Sequence, residues 1–542
     1  MKTLFYGGTI LTMTEDNPQA NAMLIEDNHI IALGTKEELE LNYPRPDHTV
    51  NLLGQTLLPG FNDSHLHLLG FGESLSLCRL EGVSSIDMFL ERLKTYANTY
   101  EGPWIRGRGW NQDHFKNKRL PLASDIDKVI SDRPVVLNRA CGHVIVCNTR
   151  ALQIAGISQE TPQPEGGHFD VDSDGNPTGI LRENAMDLIQ KCFPDPTDEE
   201  LQNSIIKGAQ YALSHGITSV QSDDLCVYPI HMSERILNVF KSMDEKELLP
   251  IRVYEQALFR TPQNLKTFID AGYKTGCGSD FFKEGPLKIL ADGSLGARTA
   301  FLSQSYEDQP NTTGIAMYDQ KTLNDMVCLA QSNGLSTAVH AIGDGTIDMA
   351  LDAIENAQNK HPNNQLRNSI VHCQITRPEH FNRMKELNVL AHVQPIFIDY
   401  DMAIVKDRIG GERMMSTYAW KTMLSQGVKL AFGSDCPVEP LDIMPNIYSA
   451  VTRRNLQGKP DQGWMPHERL DMLTVLKGFT VWPAYASGEE HIKGTLETGK
   501  LADFAVLNCN PMDISEDEIL EIKVTQTWIN GVKVFEAPNP KY

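Results

Sequence analysis

Thr56-Leu57-Leu58-Pro59-Gly60-Phe61-Asn62-Asp63-Ser64-His65-Leu66-His67 runs from an apolar strand-like segment into two histidines. On an extended chain residues i and i+2 point the same way, so His65 and His67 can grip one cation from one side. Alone, the pair reads equally as two surface or core histidines. The neighbouring sequence decides between these readings.

Downstream, strand-like runs alternate with helical ones. Gly216-Ile217-Thr218-Ser219-Val220, Ile251-Arg252-Val253-Tyr254, Leu287-Lys288-Ile289-Leu290, Ser336-Thr337-Ala338-Val339, Ser369-Ile370-Val371, Val389-Leu390-Ala391 and Val428-Lys429-Leu430-Ala431-Phe432 follow in turn. With Thr56-Leu57-Leu58 as the first, there are eight. Repeated βα units imply parallel pairing, and eight of them suggest a closed α/β barrel, a (β/α)8 TIM barrel. A doubly wound open sheet is the alternative.

Barrel sites lie at the C-terminal ends of strands. Strand five ends at His340, strand six at His372 and strand eight at Asp435. His340 and His372 are 32 residues apart and Asp435 lies 63 further on, one and two βα units. That register places all three at one height. Imidazole and carboxylate donors suit zinc and similar divalent ions. Lys288 on strand four is costly among cations unless its charge is removed. Addition of carbon dioxide turns it into a carboxylate able to bridge two metals.

The rest of the chain is organised around this repeat. Residues 1–55 read as strands, Leu4-Phe5-Tyr6 and Thr9 to Met13 being divided by Gly7-Gly8. Two further runs flank Glu26-Asp27-Asn28 as a hairpin. Near the other end, Val524 to Ile529 and Val532 to Phe535 flank the turn Asn530-Gly531. Fifty residues of strands do not close a core alone. The expectation is a small β-sandwich built from both termini, 1–55 with 488–542. The barrel then takes 56–71 with 196–487. Residues 72–195 are far more than one βα connection needs and read as an inserted α+β domain that covers the barrel mouth.

Composition narrows the function. The 542 residues call for two to four structural units. Lys plus Arg number 49 against 70 Asp plus Glu, a net charge of −21. Such a surface repels phosphate backbones and anionic lipid, so no nucleic acid and no membrane partner is expected. The ten cysteines form no C-x-x-C pair and read as reduced thiols of a cytoplasmic protein. No signal peptide and no membrane-length apolar run is read. The partner expected is a small-molecule substrate, with a homodimer a base-rate expectation.

As a set, His65-x-His67, the strand-four Lys288, His340, His372 and Asp435 resemble the amidohydrolase superfamily. Leu58 to His65, Ala291-Asp292-Gly293-Ser294-Leu295-Gly296, His340-Ala341-Ile342-Gly343-Asp344, Gly433-Ser434-Asp435 and Gly499-Lys500-Leu501-Ala502-Asp503 are similar to the amidohydrolase 3 subgroup, which includes N-substituted formamide deformylase. The resemblance implies that His65, His67, Lys288, His340, His372 and Asp435 are ligands to two divalent ions, zinc first, bridged by carboxylated Lys288. It implies cleavage of a non-peptide carbon–nitrogen bond by a metal-activated hydroxide, with Asp435 the catalytic acid–base. A one-metal deaminase of amino-heterocycles and a metal-free binding barrel are the competing functions.

The inserted region carries Gly109-Trp110-Asn111, Cys141-Gly142-His143 and Gly179 to Glu183. Trp110 and His143 are candidates to line the substrate pocket, against the plainer readings of a packed Trp and a structural His. Arg298 is a third substrate candidate, against a surface salt bridge. Cys141 stands where the pattern more often holds Asp. His392, ending strand seven, is expected behind the ligands or in a structural role. Cys436 is expected to pack.

Overall fold

The computed structural model describes residues 1–43, 45–140, 144–164, 166–362 and 365–538. They form two compact units, 1–72 with 201–542, and 73–200.

In the larger unit both ends of the chain meet in one sheet. Its strands are Lys2–Leu11, Gln19–Glu26, His29–Gly34, His48–Asn51, Thr56–Pro59, Phe504–Leu507, Val524–Ile529 and Val532–Glu536. From one edge the order is 532–536, 524–529, 504–507, 56–59, 2–11, 19–26 and 29–34, with 48–51 beside 2–11. The hydrogen bonding is continuous through all eight strands, where the sequence suggests a sandwich. Each face carries an apolar core. One gathers Phe5, Ile10, Met23, Leu57, Phe504 and Val506, and the other Leu4, Ala22, Leu24 and Leu39. The turns are legible in the chemistry: Asn530 and Gly531 both take positive φ (52° and 69°), the requirement of a two-residue hairpin turn.

Two sequence readings are corrected here. The Gly7-Gly8 break does not divide two strands. Lys2–Leu11 is one strand whose register slips between Tyr6 and Ile10, a bulge. Thr56-Leu57-Leu58 is not the first barrel strand. Thr56–Pro59 pairs with Phe504–Leu507 and with Lys2–Leu11. The chain passes into the barrel at Gly60, where a Cβ would lie 2.2 Å from Thr218 Oγ1. A continuous apolar run hides this hand-over because both sheets bury it.

The barrel strands are β1 (Phe61–Leu66), β2 (Ile217–Ser222), β3 (Arg252–Leu258), β4 (Phe282–Leu290), β5 (Thr337–Ala341), β6 (Ser369–His372), β7 (Leu390–Val393) and β8 (Leu430–Phe432). All neighbours are parallel and the spatial order follows the chain. A doubly wound sheet reverses its order part-way; this one does not. The ends also meet. Asp435 N–H donates to His65 O (2.8 Å) and His67 N–H to Cys436 O (2.8 Å). The result is a nearly closed, TIM-barrel-like sheet. Helices cover it through faces such as Ile347, Ala350, Leu351, Ile354 and Ala357 on Asp344–Lys360. These side chains recur at spacings of three and four, one apolar stripe of a helix.

The 73–200 unit holds a six-stranded mixed sheet, in the order 167–171, 177–183, 144–147, 135–139, 105–110 and 78–79. Phe89 and Leu93 of the helix Ile86–Thr99 pack into its core with Trp110, Val135 and Leu137.

Candidate metal centre

The strand ends bring the histidines and Asp435 together. His65 is the penultimate residue of β1 and His67 directly follows the strand. His65 Nε2 and His67 Nε2 both approach Asp435 Oδ1, at 3.4 and 3.3 Å. The His65 ring lies 5.5 Å from those of His67 and His372, and His372 lies 4.5 Å from His340. In the parallel ladder His340 pairs with Leu290 and Ala341 with His372, so adjacent strands deliver adjacent rings.

The other nitrogen of three rings is tied down. His67 Nδ1 lies 2.6 Å from the Asp223 carbonyl, His340 Nδ1 3.0 Å from Asp292 Oδ1 and His372 Nδ1 2.8 Å from Gln394 Oε1. Each of these acceptors favours a proton on Nδ1 and leaves the Nε2 lone pair free, the arrangement of metal-ligating histidine. His65, His67 and Asp435 offer donor atoms close enough to share one ion. Imidazole nitrogens anchored from behind, beside one carboxylate, fit a zinc-like divalent cation.

The local electrostatics are divided. Burial, then the charge on Lys288, holds His65 well below the ordinary imidazole range. Burial pushes His67 down too, but hydrogen bonds to Asp435 and Cys226 outweigh it and raise the group well above that range. Burial works against the Asp435 carboxylate, yet His67 and His372 hold it below its ordinary value. Burial, then His340, takes His372 to about 3.

Lys288 is buried, its Nζ 3.1 Å from His65 Nε2 and 3.3 Å from Asp223 Oδ2. Asp223 is a residue that strand-end reasoning missed. It directly follows β2, the same signal that identified His340 and His372, but no partner at a one-unit spacing pointed to it. Its Oδ1 is buried without a hydrogen-bond partner among the described residues. Cys226 Sγ lies 3.5 Å from His67 Nδ1 and donates to the Asp223 carbonyl at 3.2 Å. Asp292 and Gln394 were missed for another reason: each meets the Nδ1 of a candidate ligand, His340 or His372, from behind. Asp63 accepts from the backbone N–H groups of His65 and Ser434, joining β1 to the loop that carries Asp435.

The substrate candidates fare differently. Trp110 is fully buried in the core of the 73–200 unit, its Nε1–H donating to Leu137 O at 2.9 Å. This is a packed tryptophan, and its indole has no exposed face to offer. Arg298 forks onto Asp308 at 3.0 and 2.8 Å, the salt-bridge reading. Cys141 and His143 lie outside the described residues. His392 is buried with Nδ1 3.0 Å from Ser64 O, and burial takes it to about 4. Cys436 is buried as well.

Residues 48–535 match the family model described as the amidohydrolase family. The Bacillus subtilis protein YtcJ is 34% identical over 544 residues, covering 99% of this chain and 100% of its own. N-substituted formamide deformylase of Arthrobacter pascens is 26% identical over 546 residues, with 98% of each chain covered. Among solved structures, an uncharacterized metal-dependent hydrolase from Pyrococcus furiosus superposes with a TM-score of 0.79 at 29% identity. The match covers 95% of this chain and 100% of that one.

Proposed function

The chain belongs to the amidohydrolase family, and from that premise we propose that it hydrolyses a carbon–nitrogen, amide-type bond of a small molecule with the help of bound metal. The observation that carries the reading is the convergence of His65 Nε2 and His67 Nε2 on Asp435 Oδ1, with the Nδ1 atoms of His67, His340 and His372 engaged behind them.

His65, His67, His340, His372 and Asp435 hold the cation or cations, zinc being the natural choice. Lys288 joins them as its carbamate. That modification converts a buried ammonium beside His65 into an anion with loss of two protons from Nζ; Asp223 stands where it can take up one of them, and the other leaves to solvent. Bound metal supplies Lewis acidity at neutral pH. Asp435 supplies the proton traffic. Its carboxylate removes a proton from the attacking water as the new C–O bond forms. It returns that proton to the departing nitrogen as the C–N bond breaks. An acid and an amine leave. The deformylase relative makes N-substituted formamides the first substrates to try.

The test combines elemental analysis of the purified protein with turnover of a panel of formamides, amides and cyclic amides before and after chelation. Metal is expected to co-purify, and chelation to abolish turnover. D435N is expected to lose about 10²–10⁴-fold in kcat, the usual contribution of a positioned acid–base. Carbon-13 bicarbonate is expected to label Lys288 and not the K288A variant. Absence of metal-dependent turnover, or full turnover by D435N, defeats the proposal.

A further inference from the structure

Asp292 is the second residue of the Ala291-to-Gly296 motif, and His340 opens the His340-to-Asp344 motif. The sequence presents them as separate words. In the fold they share one carboxylate. Asp292 is 1% exposed and accepts five hydrogen bonds. Its Oδ1 is met by His340 Nδ1 at 3.0 Å and by the Ile342 N–H at 3.1 Å. Its Oδ2 accepts from the Gly343 N–H at 2.9 Å, Thr346 Oγ1 at 2.9 Å and the Phe301 N–H at 3.1 Å.

Three of those donors, from Ile342, Gly343 and Thr346, belong to a helix start. Asp344–Lys360 has Gly343 at its N-cap, which has no side chain to cap with. A larger residue does not fit there, since a Cβ on Gly343 would stand 2.0 Å from Phe301 O. The cap therefore comes from another element. A carboxylate is the best-suited group, because free N–H groups and the positive end of the helix dipole both favour an anion. The same anion is the acceptor that fixes a metal-binding imidazole.

We propose that Asp292 is a positioning residue of the metal centre: it sets the tautomer and direction of His340 by fastening that ring to the N-terminus of the helix 344–360. The proposal rests on the reading of His340 as a ligand. A residue needed only as a cap has no use for His340, and one needed only for His340 has no use for Gly343 and Thr346. Asp292 does both with one rigid group, so the ring inherits the rigidity of the helix.

The test uses the full chain, stripped of metal and titrated with cobalt against a chelator. Asn retains an acceptor and is itself a good N-cap. One of the two carboxylate oxygens becomes an NH2 group that faces N–H or O–H donors, so D292N is expected to stay folded with a lowered melting temperature in the metal-free protein. It is expected to bind cobalt about 10–100-fold more weakly, with an altered visible spectrum, the usual scale for loss of such a support. D292N that binds cobalt as tightly as the wild type, with the same spectrum, overturns the proposal. If D292N does not fold, nitrogen-15 histidine spectra of the metal-free wild type decide: His340 is expected to carry its proton on Nδ1, and the opposite tautomer overturns the proposal. Wild-type protein that binds no cobalt instead removes the metal-centre reading itself.

Discussion

Two candidate ligands sit on backbone that ordinary residues avoid: His372 has φ 74°, with Cys373 next to it at 48°, and Asp435 has φ 59°. Left-handed conformations at non-glycine residues persist where surroundings over-determine them, and they cluster at functional sites. For His372 part of that determination is visible. Phe397 stacks on the ring at 5.8 Å, and Gln394 Oε1 meets its Nδ1 at 2.8 Å. Q394A should therefore leave a buried N–H without an acceptor. The expected result is a loss of about 1–3 kcal/mol in stability and a 10–100-fold loss in metal affinity. Chelator competition on the purified variant checks it, with Q394E, which keeps an acceptor, expected to recover most of the affinity. At this scale the candidate ligands were readable because each lies at or near a strand end and the strands repeat. Gln394, Asp292 and Asp223 were not, because their importance lies in a contact with another strand or loop, which no spacing along the chain encodes. Trp110 was open to two readings because an indole serves a pocket wall and a core equally well.

Between elements, one ion pair joins the barrel to the terminal sheet. Arg252 begins β3 and is 2% exposed; its Nε and Nη2 reach Asp503 Oδ2 and Oδ1 at 2.5 and 3.0 Å. Arg252 Nη2 also donates to Asn530 Oδ1 at 2.6 Å, and the Asn530 N–H donates to Asp503 Oδ1 at 2.9 Å. The Gly499-to-Asp503 segment thus has a mechanical role: its Asp ties the C-terminal hairpin turn to the foot of a barrel strand. Removing one partner strands a buried charge. R252M and D503L are each expected to cost about 3–5 kcal/mol, whereas the double variant R252M/D503L should recover much of that loss. Urea unfolding of the four proteins reads the cycle, and additive losses would contradict the pairing. Element types were legible from apolar period and turn chemistry. What failed was ownership: Thr56–Pro59 reads as a barrel strand because a strand buried on both faces looks the same in either sheet. Only pairing with Phe504–Leu507 assigns it.

For the whole molecule, a net charge of −21 makes acid the informative stress. Falling pH first relieves repulsion between carboxylates and then removes the favourable pairs they form, so individual contributions are masked in the total. Glu489 separates them. It is buried, with Oε1 2.7 Å from Lys283 Nζ and Oε2 2.7 Å from Lys493 Nζ. Burial alone would raise its carboxyl. The charges of Lys493 and Lys283 overcome that and hold it at about 2, against 4.5 for an ordinary glutamate. Burial keeps Lys493 somewhat below its own ordinary value despite the pull of Glu489. Because the folded value of Glu489 is the lower one, the unfolded chain takes up its proton first. The stabilisation is complete above pH 4.5 and disappears as the pH falls to about 2. Its full size is roughly 3 kcal/mol at 1.36 kcal/mol per unit. E489Q should therefore unfold at lower urea than the wild type at pH 7. The gap should narrow steadily below pH 4.5 and close as the pH falls through about 2, where the wild-type carboxyl itself becomes protonated. Glu489 belongs to the unit made of 1–72 and 201–542, so the shift is expected in the unfolding of that unit and not in that of 73–200. A gap that stays constant from pH 7 to pH 3 would show that Glu489 contributes shape rather than charge.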